Sequence, residues 1–133
     1  MPRRYQMLRQ TVARLAEGAD AQHAYLESLF RPMAIDGDAS RYGNDELALE
    51  LDDLYRATGE MHEWDEISPE EIEAIRPLDA MLRALSGETH ADFWCREALW
   101  SDPRWEQVRA LARRALAQLP DEERTSSWQS EAN

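Results

Sequence analysis

The chain has 133 residues, 27 acids and 15 bases, and a formal net charge of −12. This length fits a single domain, and the negative charge disfavours nucleic acids and anionic membranes, which proteins bind largely through cation-to-phosphate contacts. The single cysteine, Cys95, cannot form an internal disulfide, and no apolar run approaches the ~18 residues of a membrane span, so we expect a cytoplasmic protein.

The first 31 residues carry a helical pattern. Apolar side chains recur every three or four positions, as on one side of a helix: Tyr5, Leu8, Val12 and Leu15. Because Gly18 could interrupt the helix, the sequence is compatible with either one long helix or two. We expect the helical pattern to end at Arg31, before Pro32. Residues 32–44 carry two glycines and short polar side chains, which predicts a loop.

The next helix is predicted to begin at Asn44 or Asp45, either of which can serve as its N-cap. Gly59 is its expected end. One side of this helix is apolar: Leu47, Leu51, Leu54 and Thr58, with Leu49 and Tyr55 flanking.

A third helix has the clearest start signal in the chain. Ser68 can cap it, Pro69 fits its first position, and Glu71 stands where a capping box requires it. Pro77 lacks a backbone donor and predicts a kink or a short break, and the helix closes at Ser86-Gly87.

The remaining residues indicate two more helices. Thr89 with Asp92 repeats the capping-box spacing, and Asp102-Pro103 opens an amphipathic helix that ends at Pro120. Because no alternating β pattern occurs, we predict an all-α, single-domain bundle of about five helices over residues 1–120, with a disordered tail over residues 121–133.

Acidic residues are concentrated in residues 36–73, here called the acidic segment. It contains 14 acids and two bases, whereas the rest of the chain has 13 of each, so it carries the whole net charge. Such a field attracts a basic protein or a cation. The first helix has the opposite sign, and we expect its arginines to pair with this segment within the chain or across a dimer: Arg3, Arg4, Arg9 and Arg14.

Three acids in the second helix form a candidate metal site. Glu46, Glu50 and Asp53 are spaced by four and three residues and so project from one face, where carboxylates suit Mg²⁺ or Mn²⁺. Acids of the next helix would complete the site: Glu70, Glu71 or Glu73. The alternative interpretation is a solvated helix face.

Part of this face resembles a known acidic signature. Glu50-x-x-Asp53 is similar to half of the signature of MazG-type nucleotide pyrophosphatases, which implies metal-dependent hydrolysis. The other half, Glu-Glu-x-x-Glu on a preceding helix, is missing. Glu70-Glu71-x-Glu73 follows instead of preceding and has a different spacing.

The predicted loop resembles the start of a calcium-binding EF-hand loop through Asp36-x-Asp38-x-Ser40. Arg41 replaces the required turn glycine, and Leu47 replaces the bidentate glutamate, so we expect an Asx-rich turn instead.

Two further residues carry reactive groups. His62 lies among carboxylates that would raise its pKa, which suggests a pH-sensitive or metal-binding position, or an exposed acidic connector. No histidine lies in helical register with Cys95, so we expect Cys95 to be buried and structural.

The tryptophans divide into two groups. Trp94 and Trp105 are expected in the core. Trp64 is surrounded by Glu63, Asp65 and Glu66, and an aromatic ring among acids is a suitable anchor for a basic partner.

These observations favour a small, acidic, non-enzymatic protein that docks a basic protein without a cofactor, as immunity or antitoxin inhibitors of basic nucleases do. All the bases are arginine, which is typical of GC-rich bacterial genomes. The alternative is an all-α hydrolase of nucleotides or phosphate esters that uses Mg²⁺ or Mn²⁺, and a homodimer is compatible with either. The expected docking residues are Glu46, Glu50, Asp53, Glu63, Trp64, Asp65 and Glu66.

Overall fold

The computed structural model describes residues 3–30 and 43–120, and every regular element in these two ranges is helical. This confirms the all-α prediction for the described residues. None of their helices combines the length and apolar character needed to cross a membrane. The elements are α1 (Arg3–Ala16), α2 (Ala19–Phe30), α3 (Asp45–Arg56), α4 (Thr58–Glu63), α5 (Pro69–Ala84), a 3-10 helix (Glu88–Trp94), α6 (Ala98–Ser101) and α7 (Pro103–Leu116).

The first helical stretch is two helices, which resolves the alternative left open at Gly18. The backbone N–H of Gln22 donates to the carbonyl of Gly18 at 3.0 Å as α2 begins. The amide Nε2 of Gln22 donates to the carbonyls of Arg14 and Leu15 at the end of α1, both at 3.1 Å. Gln22 is fully buried and therefore satisfies carbonyls that the helix end leaves without partners.

The core lies where α1 packs against α7 and α3, and where α5 packs against α7. Trp105 is fully buried and stacks on Phe93 with ring centroids 4.4 Å apart, which confirms its predicted core position. Trp94 is half-buried and meets both rings edge-on. The predicted stripe of α1 is wholly buried: Tyr5, Leu8, Val12 and Leu15.

Of two predicted N-caps, one holds its position without a capping bond and the other is wrong. Asn44 is the N-cap residue of α3, but its side chain makes no capping bond: Nδ2 donates to the carbonyl of Cys95 at 2.6 Å, and the buried Oδ1 accepts no hydrogen bond from the described residues. Thr89 does not cap the 3-10 helix, since Gly87 occupies the N-cap position and Thr89 contacts His90. Neither side chain therefore accepts a hydrogen bond from a helix N-terminus.

Two helix interruptions predicted from the sequence, at Gly59 and Pro77, are not found at those residues. The chain breaks at Ala57 instead of Gly59, which lies inside α4. The Ser68 capping box is confirmed, with both of its hydrogen bonds to Glu71 present, but α5 continues through Pro77 without a break. Pro77 is exposed, so the missing backbone donor lies on the solvent side of the helix.

Candidate functional site

The connection between α4 and α5 presents one large apolar side chain to solvent. Met61 is fully buried and Ile67 is 3% exposed, so both sides of the connection are anchored in the core. Trp64 lies between them and is 67% exposed, more than any other large hydrophobic side chain of the described residues. A tryptophan this exposed contributes little to the core.

The backbone fixes the direction of this turn. The N–H of Glu66 donates to the carbonyl of Met61 at 2.8 Å, and that of Asp65 donates to His62 at 3.1 Å. These two bonds form a Schellman motif, in which the residue after the helix takes a left-handed conformation that usually requires glycine. Here Asp65 takes it, with φ of 58°.

Arg4 of α1 holds both sides of the turn. Its Nη1 donates to Glu60 at 2.6 Å, and its Nη2 and Nε donate to Glu66 at 2.6 and 3.0 Å. These bonds stabilise the charged guanidinium and raise the pKa of Arg4. The predicted pairing of α1 arginines with the acidic segment is therefore confirmed for Arg4, and Glu66 positions the turn from inside the chain.

Two acids beside Trp64 remain available to a partner. Glu63 and Asp65 are exposed, and neither makes a side-chain hydrogen bond or ion pair within residues 3–30 and 43–120. We call Glu63, Trp64 and Asp65 the Trp64 turn. It combines an exposed indole with two uncompensated carboxylates on a turn closed by two backbone hydrogen bonds. His62, at its edge, is exposed, with Nδ1 at 3.3 Å from the carbonyl of Ile67.

The acids predicted on α3 have separate environments. Glu50 accepts a hydrogen bond from the Tyr25 hydroxyl at 2.6 Å and lies 3.6 Å from Arg14, whose guanidinium covers the Tyr25 ring. Burial and the bond to Glu50 raise the pKa of Tyr25 to about 12. Glu50 is thus engaged within the chain, and the predicted pairing is confirmed for Arg14.

The other two α3 acids face solvent to different degrees. Glu46 is half-buried, and burial together with the charges of Asp45 and Glu50 raises its pKa. Asp53 is exposed. No group of three or more His, Cys, Asp or Glu side chains in the described ranges is placed to hold a metal ion, so the geometry gives no support to a metal site at Glu46, Glu50 and Asp53. The EF-hand-like residues Asp36 to Arg41 lie outside these ranges.

A groove that the sequence analysis missed lies between α3, α5 and the 3-10 helix. Its volume is about 720 Å³. The exposed Leu49 of α3 lines this groove. In the sequence, the only feature near α3 that could have indicated the groove is Leu49 itself, an apolar residue next to the buried apolar side of the helix. Its apolar lining consists of Ala48, Leu49, Leu82, Ala91 and Trp94.

A second exposed tryptophan is tied down by polar contacts. Trp100 is 52% exposed, and its indole N–H donates to Asp20 at 2.8 Å. Its ring also contacts His23, with centroids 5.2 Å apart. The expected burial of Cys95 is wrong: it is half-buried, with its thiol donating to the carbonyl of Ala91.

Comparison with known proteins adds no relative: no protein family, no curated protein and no solved structure matches this chain.

Proposed function

We propose that this protein is a non-enzymatic interaction module that docks a basic partner protein through the Trp64 turn. The observation that carries the proposal is the 67% exposure of Trp64 on a turn that the backbone and Arg4 hold in place. The apolar surface of Trp64 remains in contact with water in the folded protein, so a partner that covers it would gain the free energy of burying that surface.

The chemistry of the turn indicates a basic partner. An arginine or lysine stacked on the indole face gains a cation-π contact, and Glu63 and Asp65 stand beside it as acceptors. The net charge of −12 would also steer a basic protein towards the surface and speed association. The backbone hydrogen bonds of the turn and its contacts with Arg4 restrict its conformations before binding, which lowers the entropy lost when a partner binds.

Charge and size agree with one specific form of this function. Small acidic inhibitors of basic nucleases, of the immunity or antitoxin type, act by covering a basic surface. The more specific proposal is therefore that this protein is such an inhibitor and that residues 63–65 contact the nuclease.

Affinity capture from a bacterial lysate, with the protein immobilised and bound proteins quantified by mass spectrometry, tests the proposal. We expect Trp64→Ala to reduce the recovery of basic proteins about tenfold or more, as for a central aromatic anchor. The double variant Glu63→Gln/Asp65→Asn should also reduce recovery, and this loss should be larger at low salt than at high salt. The reason is that the two carboxylates act mainly through long-range attraction, which salt screens.

Two matched controls separate docking from general surface effects. Trp100→Ala removes a comparably exposed indole that bonds within the chain, and Glu73→Gln removes an exposed carboxylate paired with Arg76. Both should retain the captured proteins. Unchanged recovery with Trp64→Ala, or equal loss with Trp100→Ala, would contradict the proposal.

A further inference from the structure

We propose that the groove between α3 and α5 binds an amphipathic helix of the partner, with apolar residues inserted beside Leu49 and basic residues along the rim. The basic character of this helix rests on the proposed function. The groove itself is a separate surface, formed by other residues than the Trp64 turn.

The groove has the form that a helix requires. The lining residues of α3 run from Asp45 to Arg56, which is about 16 Å at the 1.5 Å rise of a helix, or about three turns. A helix bound along such a length contacts it through residues spaced three and four apart. Helices also form the two long walls, α3 on one side and the end of α5 on the other.

A charge network within the lining of the groove links α3 to α5. Asp52 accepts from Arg56 at 2.9 Å and lies 3.1 Å from Arg83, which donates to Asp79 at 2.7 Å. Both arginines of the lining are therefore paired with acids. The apolar surface that this network leaves uncovered on α3 lies about one helical turn before Asp52, at Ala48 and Leu49.

The remaining charge along the rim is negative. Asp45 lines the groove, is exposed, and makes no ion pair or side-chain hydrogen bond with another described residue. Asp53 does not line the groove but follows Leu49 by one helical turn on α3, and it is also exposed and without such a contact in the described ranges. A second copy of this chain, with a net charge of −12, would meet this rim with repulsion, whereas a basic helix would complement it.

Leu49 provides the decisive apolar contact. It is 48% exposed, although most leucines of the helices are buried. Covering it together with the half-buried Trp94 would remove apolar surface from water, which is the main favourable contribution to helix-in-groove binding. An apolar anchor among exposed acids also explains why this side of α3 is not uniformly polar.

The test uses a panel of labelled synthetic peptides of about 15 residues, long enough to form helix on binding. Each peptide has arginines and an apolar stripe of leucine, isoleucine, methionine or phenylalanine. Scrambled versions keep the composition and lose the stripe. Fluorescence anisotropy gives Kd for the full chain, and we expect at least one striped peptide to bind about tenfold more tightly than its scrambled version.

Three variants locate the site. Leu49→Glu should weaken the striped peptide about tenfold, although its added carboxylate alone would attract a basic peptide. Leu49→Gln should weaken it similarly without a change of charge. Met7→Glu is the matched control, since Met7 is 47% exposed on α1, and it should leave Kd within about twofold. Circular dichroism verifies that each variant is folded.

Several results would overturn the inference. They are equal binding of striped and scrambled peptides, unchanged Kd with both Leu49 variants, or no binding by any peptide of the panel. A groove filled by a second copy would show as a dimer that Leu49→Glu converts to monomer in light scattering. Trp64→Ala distinguishes the two proposals: it should reduce lysate capture about tenfold or more while leaving peptide binding at the groove intact.

Discussion

Gln22 and Arg109 form a buried polar pair that joins α2 to α7. The side-chain oxygen of Gln22 accepts from Nε and Nη2 of Arg109 at 3.1 and 3.0 Å, and Gln22 is fully buried while Arg109 is 4% exposed. Arg109 also donates to the carbonyl of Leu99. One guanidinium and one amide therefore connect α2, α7 and the residues around α6.

We predict that Gln22→Leu destabilises the protein by about 2–4 kcal/mol. The substitution removes the acceptor of two hydrogen bonds from the buried guanidinium, which keeps only Leu99 and Glu106 as acceptors among the described residues, and it removes the donor to the end of α1. Urea unfolding followed by circular dichroism measures the loss. The double variant Gln22→Leu/Arg109→Met should recover part of it, because the buried guanidinium that has lost two of its acceptors is also removed. A double variant that loses the sum of the two single losses would contradict this coupling.

A second prediction concerns the left-handed residue of the Trp64 turn. Asp65→Gly should stabilise the fold by about 0.5–1 kcal/mol, since glycine adopts positive φ without the steric cost that a side chain meets. Thermal or urea unfolding measures it.

The control for Asp65→Gly is the same substitution in a helix. Asp53→Gly, on the exposed side of α3, should destabilise by about 0.5 kcal/mol because glycine is a poor helix former. If Asp65→Gly destabilises as Asp53→Gly does, the turn does not carry backbone strain at Asp65.

Pro77 provides the third prediction. It is the ninth residue of α5 and cannot donate the hydrogen bond that an interior helix position normally makes. Pro77→Ala should therefore stabilise the protein by about 1–2 kcal/mol, less than the full helix propensity difference because the unfolded chain also becomes more flexible. Unfolding in urea measures the gain, and a loss of stability would show that Pro77 fits a bend that the fold requires.

The sequence predicted the features that depend on near neighbours. The capping box of Ser68 and Glu71 spans three residues, and Asp102 caps α7 through the N–H of Arg104, two positions away. The apolar sides of the helices could also be predicted, because burial of one side of a helix places apolar residues three to four positions apart in the sequence. These local signals established the helices and the core.

Contacts between distant segments of the chain could not be predicted in the same way. Asn44 has the side chain of a good N-cap, but its amide bonds to Cys95, 51 positions away. The groove is formed by three elements, and its lining residues extend from Asp45 to Trp94 in the sequence. Charge alone indicated that Arg4 pairs with the acidic segment, whereas its partners Glu60 and Glu66 depend on how α1 packs against that segment.

The last prediction concerns the pH dependence of stability through Tyr25. Its pKa is raised from 10.0 to about 12, first by burial and then by its hydrogen bond to Glu50, so the folded state favours the neutral phenol. The contribution of Tyr25 is complete below pH 10 and is lost as the pH rises towards 12. The chain has no lysine, so no lysine ammonium titrates in the same range.

Tyr25→Phe removes the hydroxyl and should cost up to about 1 kcal/mol at pH 8, because Glu50 loses its donor. Urea unfolding of both proteins across alkaline pH measures the difference, in which the other tyrosines cancel. We expect this difference to narrow from pH 10 upwards, since ionised Tyr25 would repel the carboxylate that it contacts at neutral pH. A difference that stays constant up to pH 12 would mean that the hydroxyl does not bond to Glu50 in solution.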